Sequence, residues 1–483
     1  MRFRVGLGLV LGLMVALLLA GCGLLPGEAT PVVPPSLDTV PGIEEAGPLP
    51  RYRLDLVLDP AARRLTGRQE VVWTNRSGQP LDEIVFRLYP NLPQYGGRVG
   101  IGPVWVAGQR GNSVLRAEDT ALAVPLPQPL EPEASVIISL TFDVTIPSRD
   151  SGPVLFGRSQ GIWSLPDAYP LLAVHDGQRW HEDVAPPQGD AVFAEAALYE
   201  VKLTLPSTLT LVTTGSVVTS TSAAAGQTSY HIVGGPLREF AWLAGEGYQV
   251  AETAAQGIVV RSYFWPGDEA AGRAVLSMAA AALRVYAAAY GPYPFPEMTV
   301  AEAPLAFYGM EYPGLNLIGS ALYRDQRAEL EDRVAHEIAH QWWYSQVGND
   351  QVNIPWLDEG LAEYSTATYY AGVYGEARAN KLINQRWLVP YQVAVEEGRD
   401  AVVNRPAAAF GPEYEIIVYG KAALFFDALR RQVGDETYLA ILREYVDRFR
   451  WRIATPDDFL TVAEEVSGQD LEGLYTQWIL SSH

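Results

Sequence analysis

Apolar and polar side chains alternate with period two through much of the first half of the chain. In RYRLDLVLD, Tyr52, Leu54, Leu56 and Leu58 share one side of an extended strand. In YEVKLTLP, Tyr199, Val201, Leu203 and Leu205 alternate with Glu200, Lys202 and Thr204. Turn-forming clusters such as NRSGQP and PSRDSGP separate such runs. From Arg51 to Val250 the pattern predicts an antiparallel β-sandwich of about 200 residues. Beyond Ala251 the spacing becomes helical. DEAAGRAVLSMAAAALRVYAAAYG predicts a helix that stops at Gly291, where Pro292 and Pro294 forbid continuation. TPDDFLTVAEEVSG carries a Thr455 cap, Pro456 at the first helical position, acids in the first turn and Gly468 at the end. The second half is therefore mainly helical, with a small sheet expected near EMTVAEAPL.

The 483 residues allow two or three domains with cores of their own, and the expectation is a multi-domain α+β protein. A net charge of −21 repels phosphate backbones and anionic membrane surfaces, which argues against nucleic acid as a partner. At the N-terminus Arg2 and Arg4 precede an apolar run from Val5 to Ala20, the layout of a secretory signal. The run ends in Leu19, Ala20, Gly21 and Cys22, which resembles the lipobox of bacterial lipoproteins. That resemblance implies lipidation of Cys22 and an extracytoplasmic, membrane-anchored protein; the alternative is ordinary signal cleavage with Cys22 discarded. Cys22 is the only cysteine, so no internal disulfide is available. The expected order is a signal peptide over 1–21, a disordered Pro- and Gly-rich tether over 22–50, the β-sandwich over 51–252 and a mainly helical domain over 253–483, which holds the candidate chemistry described next.

VAHEIAHQWWYSQVG holds two of the six histidines, His336 and His340, four positions apart. On a helix such residues lie about 40° apart in azimuth and roughly 6 Å apart along the axis, so both imidazoles can meet one metal ion. Glu337 lies beside them, able to reach a metal-held water without entering the coordination sphere. A third ligand is needed. One class of such helices places it six residues past the second histidine, with a glycine midway, but Trp343 and Gln346 occupy those positions here. Another takes a glutamate from the following helix, and PWLDEGLAEYSTATYY supplies Glu359. Three ligands leave one corner open, the mark of a catalytic rather than a structural zinc.

HEIAHQWW, WLDEGLAEY, YGMEYPG and VYGKAALFFDAL, in this order and spacing, resemble the aminopeptidase N and leukotriene hydrolase family of zinc metallopeptidases. The likeness extends into the first half through GDAVFAEAALYEVKLTLP and GGPLREFAWLAGE. It implies a thermolysin-like catalytic domain packed on the sandwich, one Zn2+ per chain, and peptide substrates with a free N-terminus. It also implies that Glu311, flanked by Gly309 and Met310 of the substrate-binding motif, pairs with the substrate's α-ammonium. A carboxylate at a set distance from the metal measures off one residue. Tyr419 falls where the family places a phenol that donates to the oxygen of the scissile carbonyl.

Tyr308 and Tyr312 depart from the family pattern at the two ends of the Gly309 motif, which leaves side-chain preference open. Many relatives continue past the position of His483 into a helical roof; a cleft without one would be more exposed and would admit broad endopeptidase action. A non-catalytic surface binding protein on the same scaffold is a further alternative. Glu363 could orient a ligand histidine, or be one more helix-surface acid. Tyr414 is the rival to Tyr419. Trp342 and Trp343 are expected to pack behind the metal helix, Trp105, Trp163 and Trp180 to pack in the core or at sheet edges, and His175 and His181 to be ordinary loop residues.

Overall fold

The period-two runs form the strands they predict. In this computed structural model, which describes residues 42–44, 46–224, 226–325 and 327–482, strand Arg51–Asp59 alternates exposed and buried positions throughout, and Tyr52, Leu54, Leu56 and Leu58 are all buried. Cys22, the signal segment and most of the tether lie outside the described residues. The strand belongs to an eight-stranded sheet ordered Ser216–Ser222, Gln227–Leu237, Ala197–Pro206, Arg51–Asp59, Arg64–Thr74, Ser135–Thr145, Arg98–Val106 and Gln109–Gly111. A four-stranded sheet around Leu81–Arg87 and a five-stranded sheet around Trp242–Gly245 complete the sandwich region. Cross-links tie the layers: Leu172 N–H donates to Tyr52 Oη at 2.9 Å, and Gln69 Nε2 donates to the Pro170 carbonyl at 2.8 Å.

The pairing is not antiparallel throughout. Arg51–Asp59 runs parallel to Ala197–Pro206, with Leu54 beside Val201. Parallel neighbours need a long crossover, and residues 60–196, most of the domain, supply it. Alternation of apolar residues reports which face is buried and is silent on strand direction.

The second region is built on a mixed sheet ordered Gln249–Ala255, Ile258–Phe264, Glu297–Ala303, Leu315–Gly319 and Gly309–Tyr312. Glu297–Ala303 is the strand expected near EMTVAEAPL. The expected boundary at 252/253 falls inside Gln249–Ala255, which forms a hairpin with Ile258–Phe264. Helices cover this sheet. Glu269–Tyr290 ends at Gly291 with φ 108°, and Pro456–Ser467 opens on a Thr455–Asp458 capping box and closes on Gly468 at φ 65°.

Arg238, from the sandwich region, fastens the two parts together. Its buried guanidinium donates to the carbonyls of Ala194 (3.1 Å), Gln346 (3.2 Å) and Arg452 (2.8 Å) and to that of Tyr344. Two of these carbonyls follow directly on the metal-site helix, so the clamp holds the end of that helix against the sandwich.

Candidate active site

Helix Leu330–Ala339 carries His336 and leads directly into His340; helix Trp356–Tyr374 carries Glu359 on its first turn. Buried tryptophans set how these helices pack. Trp342 and Trp343 lie against Tyr290, and Trp343 Nε1 and Tyr290 Oη both donate to Ser365 Oγ at 2.9 Å. The three side chains predicted to share one ion therefore converge. Their ligand atoms all lie within 4.8 Å of one another. His340 Nε2 is 3.1 Å from His336 Nε2 and 3.4 Å from Glu359 Oε2, and His336 Nε2 is 3.2 Å from the same oxygen.

The far nitrogens face acceptors. His336 Nδ1 lies 2.9 Å from Glu363 Oε2, and His340 Nδ1 lies 2.9 Å from the Trp343 carbonyl. With the ring protons on those outer nitrogens, both Nε2 lone pairs and a carboxylate point at one spot, an arrangement that needs a positive charge at its centre. Protons supply that charge when no ion does. Burial pulls His336 down, but Glu359 and Glu363 outweigh it and raise its pKa to about 9. The two imidazoles in turn hold Glu359 well below the usual carboxylate range against its own desolvation. Glu363 is itself anchored by Arg386 Nε at 2.5 Å and Trp387 Nε1 at 2.7 Å. It is buried behind His336 rather than being a solvated surface acid.

Glu337 is 4 % exposed, and its side chain makes no hydrogen bond among the described residues. Burial first, with repulsion from Glu311 and Glu359, pushes its carboxyl up to about 8 against the pull of the two histidines. It abuts the edge strand: a Cβ on Gly309 would stand 2.1 Å from Glu337 Oε1 and 2.3 Å from Cδ. Gly309→Ala would therefore displace this carboxylate from its place beside the histidines. The expected outcome is a folded, metal-loaded protein whose kcat falls by about 10², measured on any substrate of the wild type.

Glu311, two residues along the same strand, is 5 % exposed and raised to about 7, by burial first. Gln351 donates to it at 3.4 Å and to Asp358 at 2.7 Å. Met310 and Gly309 line the same cleft. Tyr419 lies on a π-helical segment, Glu415–Lys421, and donates to Glu359 Oε1 at 2.7 Å. The Tyr414 hydroxyl has no hydrogen-bond partner among the described residues, and its ring lines the cleft beside that of Tyr419.

The cleft above these groups measures about 1210 Å³ and has Tyr95, Phe156 and Asp190 from the sandwich region on one side. Sequence reasoning missed Asp190. It is half-buried, and desolvation together with Glu311 and Glu359 holds its carboxyl well above the usual range. Only its place in the family-like stretch GDAVF signalled it, because no spacing rule links a loop of one region to a helix of the other. Arg333, one turn before Glu337 on its own helix, and Gln351, in the loop before Glu359, were missed because no motif marks them. His175 and His181 belong to a loop: His175 accepts from Gly177 N–H at 3.0 Å and His181 lies 3.0 Å from Asp176. Trp163 and Trp180 are buried in the core.

Residues 275–478 match the Peptidase family M1 domain. That matched stretch contains His336, Glu337, His340, Glu359, Glu311 and Tyr419. Among curated relatives, the chain is 26% identical over 306 residues to Aminopeptidase M1-C of Oryza sativa, covering 58% of this chain and 34% of that protein. It is likewise 26% identical over 247 residues to the alanine/arginine aminopeptidase of Saccharomyces cerevisiae, covering 46% of this chain and 27% of that one. The chain thus spans about a third or less of the length of these relatives. Among solved structures, the M1 zinc metallopeptidase from Deinococcus radiodurans superposes with a TM-score of 0.66 at 23% identity, covering 89% of this chain and 93% of that one. That likeness shows that the two share a fold.

Proposed function

We propose that this chain is a zinc aminopeptidase of peptidase family M1 that removes N-terminal residues from peptides. The observation that carries this reading is the grouping at one cleft of a His336–His340–Glu359 ligand set, the unengaged Glu337 carboxylate beside it, and two further carboxyls, buried Glu311 and half-buried Asp190. The donor set suits a zinc ion, with two imidazole nitrogens and one carboxylate whose outer partners fix their orientation. Bound there, the ion would supply Lewis acidity that makes a water nucleophilic near neutral pH and polarises the scissile carbonyl.

The remaining work falls to the chain's own residues. Glu337 takes a proton from the attacking water and later passes it to the leaving nitrogen. The Tyr419 hydroxyl, close to the ligand carboxylate, donates to the carbonyl oxygen as charge builds on it. Glu311 and Asp190 receive the substrate's ammonium. Desolvation and mutual repulsion raise both carboxyls when the cleft holds no cation, so an incoming ammonium restores their charge and gains two charge-assisted contacts.

The test compares an aminoacyl p-nitroanilide with its N-acetylated twin. The free amine is expected to be cleaved and the acetylated compound refused, and Glu311→Gln is expected to raise KM for the former by about 10- to 100-fold. Equal turnover of the twins would replace the exopeptidase reading with an open-cleft endopeptidase. We further propose a lipid anchor at Cys22, supported by the lipobox-like LAGC; fatty-acid labelling in a bacterial host, abolished by Cys22→Ala, is the expected result.

A further inference from the structure

Arg333 stands on the metal-site helix one turn before Glu337 and lines the cleft. It is 9 % exposed, and its guanidinium makes no hydrogen bond among the described residues; its Nε is wholly buried and unpartnered. It lies over the Tyr308 ring at 4.3 Å, and its one acidic neighbour within ion-pair range is Glu415, 3.9 Å away on a largely exposed side chain. A pair of that kind contributes about 0–1 kcal/mol. It does not compensate for removing the Nε donor from water. The other cations lining the cleft are provided for. Arg386 is tied to Glu363, Asp332 and Glu329, Arg399 is tied to Glu397, and Arg149 is exposed to solvent. Among these cations Arg333 alone has a buried donor, its Nε, without a partner.

Its position says which part of a substrate it meets. Residues i and i+4 share a helix face, so Arg333 and Glu337 sit about 6 Å apart along the same side of the cleft. The edge strand runs past both. Gly309 abuts Glu337, Tyr308 covers Arg333, and Glu311 lies two residues beyond Gly309 in the other direction. The proposed general base therefore stands between the proposed ammonium site and the guanidinium, which places Arg333 on the side of the leaving fragment. Tyr308 is pinned there, because its carbonyl accepts from Gly319 N–H at 2.9 Å.

We infer that Arg333 is a specificity-determining residue that binds a carboxylate on the leaving fragment, one or two residues past the scissile bond, and so favours short peptides with a free C-terminus. An extended residue spans about 3.5 Å, so the α-carboxylate of a di- or tripeptide falls within reach of a guanidinium one helical turn from Glu337. An aspartate or glutamate at the second position offers the same chemistry. This inference rests on the aminopeptidase reading.

The experiment measures kcat/KM of the zinc-loaded full chain on Ala-Ala and Ala-Ala-Ala, on their C-terminal amides, on Ala-Asp-Ala-NH2 against Ala-Asn-Ala-NH2, and on alanine p-nitroanilide. The expected wild-type result is a preference for acid over amide of about tenfold or more, expressed in KM, the worth of one charge-assisted contact. In Arg333→Gln the acid-to-amide ratio should collapse toward one, with Arg333→Lys retaining part of it. A ratio within one preparation does not depend on the fraction correctly folded. A preference confined to Asp over Asn and lost in Arg333→Gln would equally support the guanidinium as anion reader, with the anion on the second side chain. Wild-type ratios near one in every pair, with the anilide cleaved, would overturn the inference and leave the aminopeptidase reading standing. So would a preference that survives in Arg333→Gln. No cleavage of any compound would overturn both.

Discussion

Glu337→Gln is expected to reduce kcat by about 10³ or more while the protein stays folded and still binds one zinc per chain. The amide matches the carboxylate in shape but cannot accept a proton, and the side chain it replaces is tied into no hydrogen bond that the fold needs. Measured together, kcat, metal content and melting temperature separate loss of the base from loss of the site. A variant with wild-type kcat and full zinc would remove Glu337 from the reaction.

The second large effect concerns the ion. Glu359→Gln removes the charge of the one anionic ligand and leaves two neutral imidazole Nε2 atoms, 3.1 Å apart, to hold the cation with an amide oxygen. The expected loss of zinc affinity is on the order of 10² or more, since even partners behind the ligands are worth 10–100-fold. Chelation of the wild type should abolish turnover, and added zinc should restore it. The ion should also stabilise the fold, by about 4 kcal/mol at a free concentration of about 1,000 times Kd, read as a melting temperature several degrees above that of the stripped protein. Zinc content unchanged in Glu359→Gln, or activity indifferent to chelator, would exclude the triad as the metal site.

Which side chains cooperate here was legible to different degrees. His336 and His340 could be paired from spacing, because four residues on one helix fix their separation without help from the rest of the chain. Glu359 required one more fact, that helix Trp356–Tyr374 folds back across helix Leu330–Ala339, and buried aromatics around Trp342, Trp343 and Ser365 decide that. Glu311 and Tyr419 were reached through likeness to a family rather than through any local rule. Asp190, and the isolation of Arg333, had no local signature at all.

The amino-acid sequence by itself determined what short-range geometry controls: the burial pattern of Arg51–Asp59, the capped helix Pro456–Ser467, the two-histidine pair, and the Gly291 stop. Each depends on residues within a few positions of one another, where helix or strand period dictates direction. Tertiary structure decided the parallel seam between Arg51–Asp59 and Ala197–Pro206, the placing of Asp190 and Glu311 on one cleft, and the close approach of Gly309 to Glu337. Those contacts join residues far apart in the chain, and their geometry follows from how whole layers pack, which no local period encodes.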